Sequence, residues 1–149
     1  MESTLAVAKA LYTMYDDTFH QKMDEMKMHK LMYFTQRESL IANNDVLFSE
    51  DFCGWRYGPV LLSVRNEFRS GSLFSEVADT VSEATIALLR SVLERFGAIS
   101  SWNLSIMSHE ELSWKLSRNG LNATDNGNTH LSINAMKLDA AREAASRKK

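Results

Sequence analysis

The sequence predicts an all-α, predominantly helical single domain over residues 1–149, and it leaves room for a small two-stranded β-hairpin between the second and third helices. Three observations predict this class. The 149 residues include one proline and six glycines, so few positions interrupt a helix. Apolar residues recur at three- and four-residue spacing in most segments. A chain of this length with a 44% hydrophobic fraction can also bury a substantial core.

The first two helices are predicted from their apolar faces. Residues 3–16 place apolar side chains on one face, and the second helix should run over about 24–41. Tyr33 and Phe34 widen the apolar arc of the second helix well beyond a single stripe. A helix that is apolar around most of its circumference is usually buried on several sides, so we expect this one to be the central helix.

The segment after the second helix predicts a turn, extended chain and a new helix start. The short apolar segments 46–48 and 52–55 could pair as a hairpin or form an irregular loop. Pro59 has a fixed φ and no N–H, which suits the first position of a helix. A third helix is therefore expected to begin at this proline and to end near Gly71.

Capping patterns predict the fourth and fifth helices. Thr80 and Glu83 fit a capping box, in which the two side chains satisfy amides at the start of a helix. The apolar stripe that follows reaches Phe96, and Gly97 stands where a C-terminal glycine is expected. A shorter helix should follow over residues 101–107.

The last two helices are separated by a polar loop. The segment 108–111 forms a second capping box, which should open a helix through Leu116. Residues 122–130 are rich in Asn, Asp, Gly and Thr, and this composition is typical of a loop. A final helix is expected from about Ser132, with a short frayed tail over about 145–149.

Charge and hydropathy narrow the classes of partner. The formal net charge is −2, so no nucleic-acid partner is expected. A small basic cluster near the C-terminus can complete a helix dipole without any partner; it consists of Arg142, Arg147, Lys148 and Lys149. No apolar stretch is long enough to span a membrane, and the first residues lack the pattern of a secretory signal. We therefore expect a cytoplasmic protein.

Motifs for catalysis and for cofactor or metal binding give little support to an enzyme. The single cysteine, Cys53, excludes an intramolecular disulfide and a CxxC pair, and the four histidines do not form HExxH. A weak metal site at His109 is less favoured than a solvated first helical turn. His29 is best interpreted as a hydrogen-bonded interior or boundary histidine, with a partner contact as the alternative. No metal and no cofactor is predicted, and an enzyme acting on a small substrate is the least favoured function.

Four segments stand out together: residues 28–34, residues 52–60, residues 107–114 and residues 131–136. In this order and at this spacing they resemble the Panacea antitoxin domain, the family of SocA-like and phage-associated antitoxins, and the resemblance covers most of the chain. The most specific of them contains the run Trp55-Arg56-Tyr57-Gly58-Pro59. The chain departs from the family pattern at three positions, where the family has proline, an aromatic residue and proline: Leu62, Arg65 and Ser113.

The resemblance implies a helical antitoxin of a toxin–antitoxin system that neutralises a partner toxin by direct protein–protein binding. An alternative from the same resemblance is a proteolytic adaptor that delivers the toxin to a AAA+ protease. The predicted partner-binding residues are Trp55, Arg56, Tyr57, Gly58, Pro59, Arg65, His109 and Trp114. Arginine and aromatic side chains are the usual anchors of interfaces, although the aromatic residues could instead pack the hairpin onto the core. The toxin, the stoichiometry and the oligomeric state are left open.

Overall fold

The computed structural model describes residues 1–148, which contain seven helices and one two-stranded antiparallel sheet. The helices are α1 (Thr4–Phe19), α2 (Glu25–Asn43), α3 (Leu62–Ser70), α4 (Glu83–Phe96), α5 (Ser101–His109), α6 (Leu112–Ser117) and α7 (Ile133–Arg147). The strands β1 (Cys53–Trp55) and β2 (Gly58–Val60) lie between α2 and α3. The predicted class, a mainly helical fold with a small hairpin at this place in the chain, is confirmed.

Helix α2 is the centre of the fold, as predicted. Every residue from Lys27 to Leu40 is buried, and the helix contacts α1, α3, α4, α5, α7 and β2. Asp24 caps its N-terminus by accepting a hydrogen bond from the backbone N–H of Lys27 at 2.8 Å. Asn44 ends it in the left-handed conformation, with φ of 55°. The helix is therefore surrounded by protein on all sides, and its polar side chains must find partners inside the fold.

Aromatic side chains fill the space on either side of α2. Phe34 stacks on Phe96 of α4, with ring centroids 4.6 Å apart and planes 13° apart. Tyr33 meets Phe52 edge to face at 5.6 Å, which connects α2 to the chain entering the hairpin. Such aromatic pairs contribute beyond their buried area because their ring edges and faces are complementary.

The hairpin differs from the prediction in its register. The predicted pairing joined segment 46–48 to segment 52–55, whereas the observed pairs are Cys53 with Val60, Gly54 with Pro59 and Trp55 with Gly58. Phe48 instead forms an isolated parallel bridge with Glu2. The hairpin is closed by the two-residue turn Arg56-Tyr57, which the apolar pattern did not reveal because neither residue is a typical turn residue.

Pro59 lies in β2 and does not begin a helix, so that prediction is wrong. β2 is the edge of the sheet, where a missing N–H leaves no ladder bond unmade. The other side of β1 is covered by residues 129–131, since the N–H of Gly54 donates to the carbonyl of Thr129 at 3.0 Å. Helix α3 consequently starts later, at Leu62.

Two predicted capping boxes are displaced. Ser82, and not Thr80, caps α4 by accepting a hydrogen bond from the N–H of Thr85 at 3.2 Å. Residue 108 belongs to α5, and Glu111 is the residue that precedes α6. The second box is displaced because Asp139 of α7 takes over the role of the cap. Its carboxylate accepts hydrogen bonds from the first amides of α6, which removes the need for a local cap.

The C-terminal helix continues to Arg147, inside the segment where we expected fraying. Arg147 closes α7, and its guanidinium pairs with Glu38 of α2 and donates to Glu143 at 2.9 Å. Lys149, part of the basic cluster noted in the sequence, lies outside the described residues. None of the helices within residues 1–148 combines the length and apolarity needed to cross a membrane.

Candidate functional site

The tip of the hairpin presents two of the predicted partner-binding side chains to solvent. Arg56 and Tyr57 form the turn between β1 and β2, and Tyr57 is 45% exposed. The guanidinium carbon of Arg56 lies 4.7 Å from the centroid of the Tyr57 ring, a cation–π geometry that holds the two side chains together. The pair forms a small exposed anchor of the kind that binding interfaces favour.

The backbone beneath this tip is fixed by side chains from α5 and α6. The indole N–H of Trp114 donates to the carbonyl of Trp55 at 2.8 Å. The hydroxyl of Ser105 donates to the carbonyl of Tyr57 at 2.7 Å. Because both acceptors are main-chain carbonyls next to the turn, the direction in which the tip points is set by helices packed on the core.

His109 packs against Trp114, the residue that holds the hairpin backbone. Its imidazole stacks on the Trp114 ring, with centroids 4.1 Å apart and planes 14° apart. Partial burial lowers the pKa of His109, and the nearby positive charge of Lys30 lowers it further. The ring is consequently held neutral, in a form that stacks on an indole without a buried charge.

Gly58 lets the hairpin sit directly on α2. Its φ is +122°, a conformation that other residues rarely adopt. A Cβ at this position would lie 2.7 Å from Nζ of Lys30 and 2.6 Å from Oγ of Ser108. The backbone conformation therefore favours glycine, and any larger residue would also displace the ends of the Lys30 and Ser108 side chains.

A groove of about 360 Å³ opens between α2, the hairpin and α3. The residues that line it are Glu25, Met26, His29, Lys30, Trp55, Arg56, Tyr57, Val60, Arg65, Arg69 and Asn126. Four of these side chains are basic and one is acidic, which gives the lining a formal excess of three positive charges. In a chain whose net charge is −2, the groove is a local concentration of positive charge.

The carboxylate of Glu25 is already engaged by other side chains of the groove. It accepts a hydrogen bond from His29 Nε2 at 3.1 Å and pairs with Arg65 Nη1 at 3.2 Å. The hydrogen bond from His29 is the main reason why the pKa of Glu25 is lowered. Arg65 also lies over the Trp55 ring, 4.7 Å from its centroid, so it ties α3 to both α2 and β1.

His29 is a hydrogen-bonded interior histidine, as predicted. Its Nδ1 accepts a hydrogen bond from the N–H of Leu61 at 3.3 Å, and its Nε2 faces Glu25. A ring that accepts at one nitrogen and donates at the other is neutral. Burial lowers the pKa of His29, which favours the same neutral form.

Lys30 is the unusual residue of the groove. It is 2% exposed, and burial lowers the pKa of its ammonium to about 8. Within residues 1–148, no hydrogen-bond acceptor and no carboxylate lies in bonding distance of its Nζ, and burial is the sole cause of the shift. The indole N–H of Trp55 is likewise buried without an acceptor in this part of the chain. Sequence reasoning did not select Lys30, although a lysine inside an apolar helix was the available signal.

Sequence reasoning also missed an exposed apolar pair on α5. Trp102 and Ile106 are 60% and 47% exposed, and they stand four residues apart on one side of the helix. Ser105, a buried residue of the same helix, binds the hairpin turn. The i, i+4 spacing of two large apolar residues was the signal that could have found the exposed pair.

The structure thus divides the eight predicted partner-binding residues into two groups. Arg56 and Tyr57 are exposed, and the other six support them or line the groove: Trp55, Gly58, Pro59, Arg65, His109 and Trp114. Gly58 and Pro59 are buried, so their contribution is to hold the hairpin in place. The assignment of these residues to partner binding stays a prediction.

Two further features bear on metal binding and on cysteine chemistry. Within residues 1–148, no cluster of three or more His, Cys, Asp or Glu side chains is placed to hold a metal ion. Cys53 is buried, and burial raises the pKa of its thiol, with Glu50 and Asp51 adding to the shift. A raised thiol pKa opposes formation of the thiolate that a nucleophilic cysteine needs.

Comparison with known proteins gave one match. The family model described as "Antitoxin SocA-like, Panacea domain" matches residues 28–115, which is more than half of the chain. The matched segment contains most of α2, the hairpin, α3 to α5 and the first part of α6. No curated protein and no solved structure matched the sequence.

Proposed function

Because the chain belongs to the SocA-like antitoxin family with a Panacea domain, we propose that it is a non-enzymatic antitoxin that neutralises a protein toxin by direct binding. Inhibition then requires no chemistry from the antitoxin, only an interface that occupies a surface the toxin needs. The observation that carries this proposal is the hairpin tip, where an arginine and a tyrosine are exposed on a fixed backbone.

The proposed neutralisation face consists of Arg56 and Tyr57 of the hairpin and Trp102 and Ile106 of α5. Aromatic and arginine side chains supply most of the affinity at the centre of protein interfaces. The hydrogen bonds to the carbonyls of Trp55 and Tyr57 order the tip before binding, so less conformational entropy is lost on association. A stable interface buries roughly 1,600 Å² in total, so residues around these four must also contribute.

The first experiment expresses the small protein encoded next to this gene, with and without the present chain. Growth is followed together with the level of that neighbour by immunoblot. Rescue of growth with an unchanged level of the neighbour would support neutralisation by binding. Rescue accompanied by loss of the neighbour would overturn that mechanism in favour of delivery to a AAA+ protease. Absence of toxicity or of rescue would remove the antitoxin proposal for this pair.

Reversal of the charge at the hairpin tip should separate binding from folding. Arg56→Glu replaces an exposed guanidinium whose contacts are a long hydrogen bond to the carbonyl of Thr124, at 3.4 Å, and the cation–π contact with Tyr57. We expect unchanged helical content by circular dichroism and a dissociation constant for the toxin raised by about tenfold or more, as for loss of an interface anchor. The matched control is Arg90→Glu, an exposed arginine on α4, which should leave binding unchanged. Equal binding by Arg56→Glu and the wild type would show that the face is wrongly placed.

A further inference from the structure

Buried cations elsewhere on α2 have partners within the fold. Lys27 donates from Nζ to the hydroxyl of Tyr15 at 3.2 Å, and its ammonium also lies 5.1 Å from the centroid of that ring. Arg37 donates to the carboxylate of Glu111 at 2.7 Å. Burial of a charge without such compensation is costly, which is why these pairings are the general rule.

Lys30 departs from this rule in the part of the chain that the structure describes. The Lys30 side chain is buried under Gly58 as a whole and forms part of the groove wall, yet its ammonium makes no hydrogen bond and no ion pair there. Glu25, the carboxylate in the lining, is held by His29 and Arg65 and by the guanidinium of Arg69, 3.9 Å away. Within residues 1–148, no carboxylate of the lining is therefore left to balance Lys30.

A second donor in the same lining also lacks an acceptor. The indole N–H of Trp55 is buried and unbonded within the described residues. An ammonium and an N–H together call for a ligand with several acceptor oxygens. The other basic side chains of the lining, Arg56, Arg65 and Arg69, favour a ligand that is also negatively charged.

We propose that the groove between α2, the hairpin and α3 is an oxyanion-binding site in which Lys30 is the central cation. The ligand class is a carboxylate or a phosphate group. The group can come from a free small anion or from an acidic side chain of a bound protein. The site stands on its own geometry and does not depend on the antitoxin proposal.

The test uses nuclear magnetic resonance on the whole chain with isotope-labelled lysine and tryptophan. Inorganic phosphate and, separately, N-acetyl-glutamate N-methylamide are added at constant ionic strength. We expect saturable changes at the Lys30 side-chain signals and at the Trp55 indole N–H, with a rise of one unit or more in the pKa of Lys30 from about 8. A response to phosphate alone assigns a phosphate site, and a response to both probes, or to the capped glutamate alone, assigns a site open to an acidic side chain.

Two lysines of one helix provide matched variants. Lys30→Met should abolish the saturable response at Trp55, whereas Lys27→Met, at a lysine that already has a partner, should retain it. Arg69→Gln, an exposed groove residue, should weaken binding by about threefold and gives a third variant that keeps the core unchanged. The proposal is overturned if neither probe produces a saturable change, if Lys30→Met still binds, or if Lys27→Met loses binding to the same extent.

Discussion

Helix α2 buries positively charged side chains in two regions. The regions differ in whether a carboxylate of the fold pairs with the cation. Toward its C-terminal half, Arg37 enters a network with α6 and α7 in which each carboxylate has more than one donor. One to two turns earlier, Lys30 is as deeply buried but has no counter-ion within residues 1–148. Of the three buried cations of this helix, Arg37 is paired with a carboxylate, Lys27 donates to the Tyr15 hydroxyl, and Lys30 has neither kind of partner within residues 1–148.

The paired region is a buried polar junction of three helices. Glu111 accepts from Arg37 at 2.7 Å and from Arg142 at 2.8 Å, and its Oε1 also accepts from the hydroxyl of Tyr33 at 3.1 Å. Burial raises the pKa of Tyr33, and the charges of Glu111 and Asp139 raise it further, so the phenol stays protonated as a donor. The one buried donor left over in this junction, as far as the structure describes it, is Nε of Arg37.

The difference indicates what each region is for. A network whose charged side chains pair with one another fixes how α2, α6 and α7 pack, and it needs no external ligand to balance its charges. A buried ammonium without an anion reduces stability in the free protein and gains most when an anion arrives. The polar junction is thus part of the architecture, whereas the groove around Lys30 is organised for a ligand.

Removal of the central carboxylate of the junction should have the largest effect on stability. Glu111→Ala leaves the buried Arg37 with only a long contact to the carboxylate of Glu143, 3.9 Å away, and removes an acceptor from Tyr33. We expect a loss of about 3–5 kcal/mol in the free energy of unfolding, the usual result of breaking a buried pair from one side. Urea denaturation followed by circular dichroism measures it.

The neighbouring residue provides the control for this change. Glu110 is exposed, and its carboxylate makes one long contact, 3.9 Å to Nζ of Lys115. Glu110→Ala should therefore change the free energy of unfolding by less than about 1 kcal/mol. If the two alanine variants were equally stable, the junction would not be the structural element described here.

In the groove, the corresponding substitution, Lys30→Met, should increase the free energy of unfolding. Lys30→Met keeps an unbranched side chain of similar length and removes a buried charge without a partner. A fall in the pKa from 10.5 to about 8 corresponds to roughly 3 kcal/mol, which is the upper limit of the stabilisation expected near neutral pH. Lys27→Met, which removes the hydrogen bond to Tyr15, should be neutral or destabilising in the same urea experiment.

The dependence of stability on pH gives an independent measure of the same charge. Between pH 8 and about 10.5 the unfolded chain keeps a proton on Lys30 that the folded chain has released. Because the unfolded state binds more protons in this range, the contribution of Lys30 makes the protein more stable as the pH rises. Comparison with Lys30→Met isolates that contribution, which should be absent from the variant. A parallel pH dependence in both proteins would contradict an unpaired ammonium.

Helices were predictable from the sequence because they depend on local periodicity, and the central position of α2 followed from its wide apolar arc. The details that failed depend on contacts between distant segments. Pro59 has the properties of a first helical residue, but the edge position created by residues 129–131 places it in a strand. The second capping box failed because Asp139, far along the chain, supplies the carboxylate for the start of α6.

The candidate site was predictable in its exposed part and not in its buried part. Arg56 and Tyr57 were selected because their chemistry suits an interface, independently of the hairpin register. Lys30 was visible as a lysine in an apolar helix, but its significance depends on its having no ion pair within residues 1–148, which only three-dimensional distances reveal. Trp102 and Ile106 could equally have been core residues until the packing of α5 showed which side faces solvent.

The smallest expected effect on stability concerns the packing of the hairpin on α2 at Gly58, above Lys30. Gly58→Ala forces a Cβ into a conformation with φ of +122° and within 2.7 Å of Nζ of Lys30, so we expect a loss of about 1–3 kcal/mol in the free energy of unfolding. Gly71→Ala is the matched control, because its φ is also positive, at +78°, but its added Cβ meets nothing within 4 Å. The loss in free energy of unfolding at Gly58, minus the loss at Gly71, then measures how closely the hairpin packs against α2. Equal losses would mean that Lys30 and Ser108 move aside, so that the close approach of the hairpin to α2 adds nothing to the cost of the substitution.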